Sequence, residues 1–299
     1  MTLYSQKESN IRKTWLLFTI FLIAVIGIGW VFSRIYGNPG ILFFAVFFSI
    51  LMSFLSYWYS DKIVLRISKA KPVTRENARE LYNVVENLCI TAGLPTPKIY
   101  LIDDSSPNAF ATGRNPKHAV VAVTSGLLDI LDRSELEGVL AHELSHIGNR
   151  DMLLSTMVVV LVGFIALLSD IFLRSMFWRG VGSGGRDKGG QAGAVLMLLG
   201  IILALLSPLI ATLIRLAISR KREFLADASG ALLTRYPDGL ARALEKIEKH
   251  ARPMRASGNA MAHLWISDPR AKKISGLAKL FMTHPPIQER IKSLREMSI

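Results

Sequence analysis

Apolar residues along this chain fall into two patterns: long uncharged runs with no periodicity, and shorter stretches where apolar and polar positions recur at helical or strand spacing. The uncharged runs extend from Thr14 to Ser33, Ile35 to Ser60, Met152 to Ser169 and Gly189 to Ile214. Each approaches the ~20 residues that a helix needs to cross a bilayer, so each predicts a span. The third run is the shortest and ends at Asp170, leaving tilted, partly inserted and protein-buried helices open for it. Gly37, Asn38 and Pro39 form the tight turn joining the first two spans.

Between and after these runs the periodic stretches predict smaller elements. Ala78, Leu81, Val84, Val85 and Leu88 mark an amphipathic helix over Thr74 to Ala92, capped by Thr74 and stopped by Gly93. Lys98 to Ile102 and Ala119 to Thr124 alternate and are rich in β-branched residues, predicting a small sheet. Asn108 to Gly113 (NAFATG) is a candidate third strand beside Ala119 to Thr124. Its edge can hold a substrate backbone as an added strand, with Asn108, Ala109 and Phe110 as the contact residues, or it is an ordinary hairpin. From Ser134, Leu136, Val139, Leu140, Leu144 and Ile147 recur at helical spacing, with Ser134 and Glu137 as an expected capping box.

Composition then narrows the class. Hydrophobic residues make up 51% of the 299-residue chain, which points to a membrane protein. The net charge of +13 would suggest nucleic acid in a soluble protein. Here the basic residues stand beside the spans, at Lys62, Arg66, Lys69 and Lys71 and at Arg215, Arg220, Lys221 and Arg222, so anionic lipid headgroups are the simpler partner and nucleic acid is not expected. Lys62 to Lys71 reads as an amphipathic connection on the membrane surface, ended by Pro72. The first run lacks a small-residue cleavage site and reads as a retained anchor. Cys89, the single cysteine, excludes an internal disulfide and a cysteine-based metal site, and reads as a small buried hydrophobe.

The distribution of lysine and arginine places the N-terminal tail, the region 61–151 and the region after Arg215 on the cytoplasmic side. Arg174, Arg179, Arg186 and Lys188 in the glycine-rich connector between the third and fourth runs run against that pattern. The resulting division is an N-terminal transmembrane hairpin over 1–60, with spans near 14–34 and 40–60; a first cytoplasmic catalytic part over 61–151; a second transmembrane or partly inserted hairpin over 152–214; and a second catalytic part over 215–299.

The chemistry concentrates in His142, Glu143 and His146, an HExxH sequence on the helix that follows Ser134. Histidines at i and i+4 share one helix face, so both imidazoles reach one cation, and the glutamate between them is angled towards a water beside it. A catalytic zinc takes three protein ligands and leaves a position open. The extension HExxHxxGxxH is excluded, because Asn149 and Met152 stand where it needs glycine and histidine. Glu223 in REFLAD is the candidate third ligand, on a helix whose Ala226, Ala228, Ser229, Gly230 and Ala231 would let the axes approach to ~8–10 Å. Asp227 lies at i+4 from Glu223 and can accept the second ring N–H of a metal-bound histidine. His284, before Pro285 and Pro286, is either a donor to the oxyanion of a tetrahedral intermediate or a turn residue. His118, His250 and His263 read as surface or structural, Arg290 as the partner of an acidic residue, and Asp151 as a cap or brace of the helix end.

HELSH followed by Asp151, REFLAD after a hydrophobic hairpin, NAFATG upstream and HPPIQERI near the end together resemble the HtpX family of membrane zinc metallopeptidases, relatives of the CAAX prenyl peptidases. The resemblance implies one Zn2+ held by His142, His146 and Glu223, with Glu143 as the catalytic base. It further implies a multi-pass protein of the bacterial inner membrane that degrades misfolded or damaged membrane proteins from the cytoplasmic side. The expected fold is mainly α, a zincin-like catalytic domain with a small β-sheet arranged around a transmembrane helical hairpin. Two alternatives stay open: a prenyl-protein peptidase, and a non-catalytic scaffold in which the zinc is structural. The sequence leaves the oligomeric state undetermined.

Overall fold

The computed structural model describes residues 3–163, 220–254, 261, 263–267 and 285–298. Two long helices open the chain, α1 (Leu3–Tyr36) and α2 (Pro39–Ile67). They reverse at Gly37, whose φ of +60° suits glycine, and Asn38 caps α2 by accepting from Gly40 N–H at 2.9 Å, with Pro39 in the first turn where its missing donor is harmless. Both helices are long and apolar enough to cross a membrane, and only 17% of each apolar window is buried inside the protein, so neither is a core helix of a soluble fold.

Both helices run further than expected. The polar N-terminal tail is helical, and Asn10 on α1 is buried with its side-chain amide donating to the Asn149 carbonyl at 3.1 Å. At the other end α2 continues through the basic stretch expected as a separate surface connection, because Val64 and Leu65 bury against the sheet residues Ile102, Phe110, Val120 and Ala122. This burial makes the membrane hairpin and the catalytic domain one structure.

The sheet has four strands in the order β1 (Lys71–Pro72), β2 (Lys98–Ile102), β4 (Ala119–Thr124), β3 (Ala109–Gly113). β1 is antiparallel to β2, β2 is parallel to β4, and β3 is antiparallel to β4 with Ala111 opposite Val121. The NAFATG segment is therefore an edge strand. Helix α3 (Arg79–Ala92) covers one face with Leu81, Val84, Val85, Leu88 and Cys89. It begins five residues later than Thr74, whose carbonyl instead closes a turn with the Asn77 and Ala78 N–H groups, and it ends as expected on Gly93 at φ +64°.

A short α4 (Ser125–Ile130) leads to α5 (Arg133–Gly148), which carries HExxH. Its capping box lies two residues before the expected one. Asp132 accepts from Glu135 N–H, and Glu135 accepts from Asp132 N–H, both at 2.9 Å. The sequence offers D-x-x-E and S-x-x-E in overlapping registers, and Lys246 selects the first by reaching the buried Glu135 carboxylate at 2.6 Å. Glu137 pairs with Arg133 instead, at 3.0 Å.

Helix α6 (Met152–Gly163) starts directly after α5 and packs Leu154, Met157, Val158 and Leu161 on Leu17 and Phe21 of α1. The described part of the third apolar run is thus buried by protein, and the remainder of the 152–214 hairpin lies outside the described residues. Among the described residues three further helices follow: α7 (Arg220–Thr234), α8 (Pro237–Lys249) and α9 (Ile287–Arg295). α8 joins α3, α5 and the sheet in one core through Leu240, Ala241, Leu244 and Ile247. The architecture is mainly helical, with a small mixed sheet and an N-terminal pair of apolar helices flanking a zincin-like domain.

Candidate metal centre

Helix α5 brings His142 and His146 one turn apart, with Nε2 to Nε2 at 3.1 Å. Helix α7 crosses it closely enough for Glu223 to complete a triangle of residues, its Oε2 3.9 Å from His142 Nε2 and its Oε1 3.8 Å from His146 Nε2. Gly230 permits this approach: a Cβ there would stand 3.0 Å from His142 N and 3.2 Å from His142 Cα. Of the expected small-residue face, Ala226, Gly230 and Ala231 are buried, while Ala228 and Ser229 lie at its margin.

The donor set fits a small divalent cation. Three ligand atoms, one from each of His142, His146 and Glu223, lie within 4.8 Å of one another. Tetrahedral zinc with bonds of about 2.0–2.2 Å needs ligand atoms about 3.4 Å apart, between the 3.1 Å that separates the two Nε2 atoms and the 3.8–3.9 Å from each to a Glu223 oxygen. Each imidazole turns Nε2 inward because Nδ1 is engaged elsewhere. His142 Nδ1 lies 2.8 Å from Asp227 Oδ1, and His146 Nδ1 lies 3.1 Å from Asp151 Oδ2. Nδ1–H donation to a carboxylate fixes the tautomer and leaves the Nε2 lone pair free.

Asp151 reaches His146 because α5 ends in a left-handed residue. Arg150 has φ +56° and folds the chain back, so that Asp151 N–H bonds to the His146 carbonyl while its carboxylate takes the ring. Asp227 is held from the far side by Arg290 of α9, which donates from Nε at 2.8 Å and from Nη2 at 2.6 Å. Arg290 is fully buried and also donates to the Ile266 carbonyl at 3.0 Å. Arg290 pairs with an acidic residue and Asp151 braces the end of α5, both as expected; that the acid is Asp227, and that Asp151 also holds the His146 ring, was not read from the sequence. The one local signal was a carboxylate five residues beyond His146; nothing local links Arg290 to Asp227.

Electrostatics favour a cation here. Glu143, Asp151, Glu223 and Asp227 surround the triangle, with Arg222 and Arg290 as the opposing charges among the described residues. With both imidazoles neutral, as metal ligands must be, four ionised carboxylates against two guanidinium groups leave a formal excess of two negative charges, which a divalent ion balances. Burial pushes the Glu143 carboxyl up to about 7, with Glu223 adding to the rise. Burial pulls His146 down, yet Asp151 on its ring, with Glu223 and Glu143, outweighs that and raises it to about 10. Burial would lift Asp227, but the Arg290 guanidinium and the His142 contact hold it at about 2.

Glu143 is 2% exposed, and the Ala111 backbone N–H on edge strand β3 lies near enough to its carboxyl to offset part of the rise that burial causes. The expected contact residues one to three positions earlier have other partners. The Ala109 carbonyl accepts from Ile266 N–H at 3.0 Å, and the Asn108 side chain exchanges bonds with Ser267 N–H at 3.3 Å and the Ser267 carbonyl at 3.1 Å. Phe110 points to the opposite face and meets Trp265 edge-on at 4.8 Å. His284 lies outside the described residues. His118, His250 and His263 each take a local or backbone partner away from the triangle.

The profile of peptidase family M48 matches residues 75–298, three quarters of the chain and every element of this centre. The chain belongs to peptidase family M48. Among its M48 relatives is the "Protease HtpX homolog" of Caldanaerobacter subterraneus subsp. tengcongensis, 47% identical over 300 residues that cover 100% of this chain and 99% of the relative. The protein of the same name from Thermococcus sibiricus is 48% identical over 287 residues, covering 95% of this chain and 96% of its own. The crystal structure of S. mikatae Ste24p superposes with a TM-score of 0.52 at 23% identity, covering 94% of this chain and 66% of that longer one. The likeness of fold to that structure thus reaches beyond residues 75–298 to the N-terminal helices α1 and α2.

Proposed function

We propose that this M48 member is a membrane-integrated zinc endopeptidase that hydrolyses peptide bonds of misfolded or damaged membrane proteins at the cytoplasmic surface. The observation that carries the reading is the triangle of His142, His146 and Glu223 with Glu143 beside it on the same helix. A bound zinc supplies a Lewis acid that polarises the scissile carbonyl and acidifies a water. His142 and His146 present Nε2, held by Asp227 and Asp151, and Glu223 supplies the third donor. Glu143 takes the proton of the attacking water and delivers it to the leaving amine as the C–N bond breaks. Burial serves this exchange, since in the metal-free chain it raises the Glu143 carboxyl, and a less acidic carboxyl is the stronger base.

The substrate backbone lies along β3 near Ala111, whose N–H already faces Glu143. On this reading the substrate shelf lies nearer Glu143 than Asn108 and Ala109, whose polar groups are engaged by residues 266 and 267. The basic residues at the start of α1 and the end of α2 support a cytoplasmic orientation, and the passage of α5 into apolar α6 within a few residues of His146 supports a site close to the bilayer.

The test is cleavage of an unfolded membrane-protein substrate by the purified full chain. One zinc per chain, loss of cleavage with a chelator and its return with added zinc support the reading. Cleavage that survives quantitative zinc removal overturns it. Preference for prenylated over unmodified peptides would move the assignment to prenyl-protein processing, and zinc binding without hydrolysis of either would favour a structural metal.

A further inference from the structure

Outside the metal centre, a cavity of about 1140 Å³ lies between the N-terminal hairpin and the catalytic domain. Its volume exceeds the roughly 300–1,000 Å³ of ordinary small-molecule pockets. One side is apolar and aromatic, with Trp15, Phe18 and Leu22 of α1 facing Phe54 and Tyr57 of α2. The other side carries Arg114 and Lys117 from the turn after β3 and Arg150 from the α5–α6 junction. No carboxylate lines it among the described residues, and none of these three cations has an ion pair there. Arg114 instead stacks over Trp58 at 4.4 Å.

The two sides are ordered as an amphiphile would need. Trp15 near the start of α1 and Trp58 near the end of antiparallel α2 lie at the same end of the hairpin, and tryptophans mark the headgroup level of a bilayer. The apolar wall runs from there into the span, and the cations stand on the domain side. We infer that this cavity binds one glycerophospholipid with an anionic headgroup, its phosphate on Arg114, Lys117 and Arg150 and its acyl chains along α1 and α2. A bound lipid would touch the hairpin, the turn after β3 and the end of the HExxH helix at once. The inference rests on the membrane setting proposed above, and its test reads lipid retention without any hydrolysis, so failure of one is distinguishable from failure of the other.

The experiment is native mass spectrometry of the delipidated full chain titrated with phosphatidylglycerol, phosphatidylcholine of the same acyl chains, diacylglycerol or inorganic phosphate. One phosphatidylglycerol per chain should be retained in preference to the other three. Each surface cation contributes about fivefold, so the Arg114→Gln, Lys117→Gln double variant should weaken that retention about 30-fold with zinc content unchanged. If the double variant does not fold, Lys117→Gln alone, at an exposed position, should weaken it about fivefold. Equal retention of phosphatidylcholine, binding of phosphate alone, or undiminished binding by the variants overturns the inference. So does a photo-reactive side chain at Phe18 that captures substrate polypeptide in place of lipid.

Discussion

Arg290 grips Asp227 through two nitrogens, at 2.8 and 2.6 Å, and Asp227 in turn holds the ring of His142 at 2.8 Å. Three helices that share no local sequence thus converge on one imidazole. Arg290→Met leaves a buried carboxylate without its cation, a change that costs about 3–5 kcal/mol. The expected result is a lowered thermal transition, and zinc affinity reduced about 10–100-fold by competition with a chelator. Wild-type affinity in the variant would show that Asp227 positions His142 without help from α9.

Glu223→Ala should abolish stoichiometric metal. Glu223 is the one ligand supplied by α7, and two imidazoles alone leave half of a tetrahedral shell to water. Elemental analysis of the purified variant decides it, and a full zinc complement would remove Glu223 from the ligand set.

Glu143→Gln keeps the size of the side chain and removes the base. Zinc content should stay at the wild-type level while hydrolysis falls by about 10²–10⁴-fold. In the metal-free protein the same variant tests the raised carboxyl. A carboxyl lifted from its ordinary 4.5 to about 7 binds more protons folded than unfolded between those values, so folding stability falls as pH rises from 4.5 to 7. The wild type should lose about 3 kcal/mol more than Glu143→Gln across that window, read by chemical denaturation. Parallel pH profiles would contradict the burial of an ionisable Glu143.

Gly230→Val should separate α7 from α5. Even a methyl group there meets His142 backbone atoms at 3.0–3.2 Å, so a branched side chain forces the helices apart and carries Glu223 with them. A loss of about 1–3 kcal/mol and weaker zinc binding are expected. Gly148→Ala, where a Cβ would meet only Leu94 Cδ1 at 3.8 Å, should leave zinc binding intact.

The start of α5 gives a sharper local test. Asp132→Ala removes the cap acceptor and should cost about 1 kcal/mol. Ser134→Ala, which removes a hydroxyl that donates to Asp132 and accepts from Arg242 but caps no backbone N–H, should cost less. The reverse order would restore Ser134 as the cap.

The chain by itself determined whatever depends on neighbours in sequence. HExxH puts His142, Glu143 and His146 on one helix face because the α-helical period is local, Gly93 ends α3 because few other residues adopt its backbone angles, and two uncharged runs of sufficient length give α1 and α2. Even Glu223 and Asp227 were legible, through their i, i+4 spacing beside small residues. Tertiary structure alone decided which of two overlapping capping boxes starts α5, how far α2 runs past the apolar stretch, and that Asp151 and Arg290 finish the surroundings of the two histidines. Those choices turn on Lys246, on burial of Val64 and Leu65, on a left-handed Arg150 and on an arginine 63 residues beyond its aspartate. Local propensity fixes a helix and the side it presents. The partner that the side meets is set by which distant surfaces bury together, and a single stretch of sequence carries no record of that.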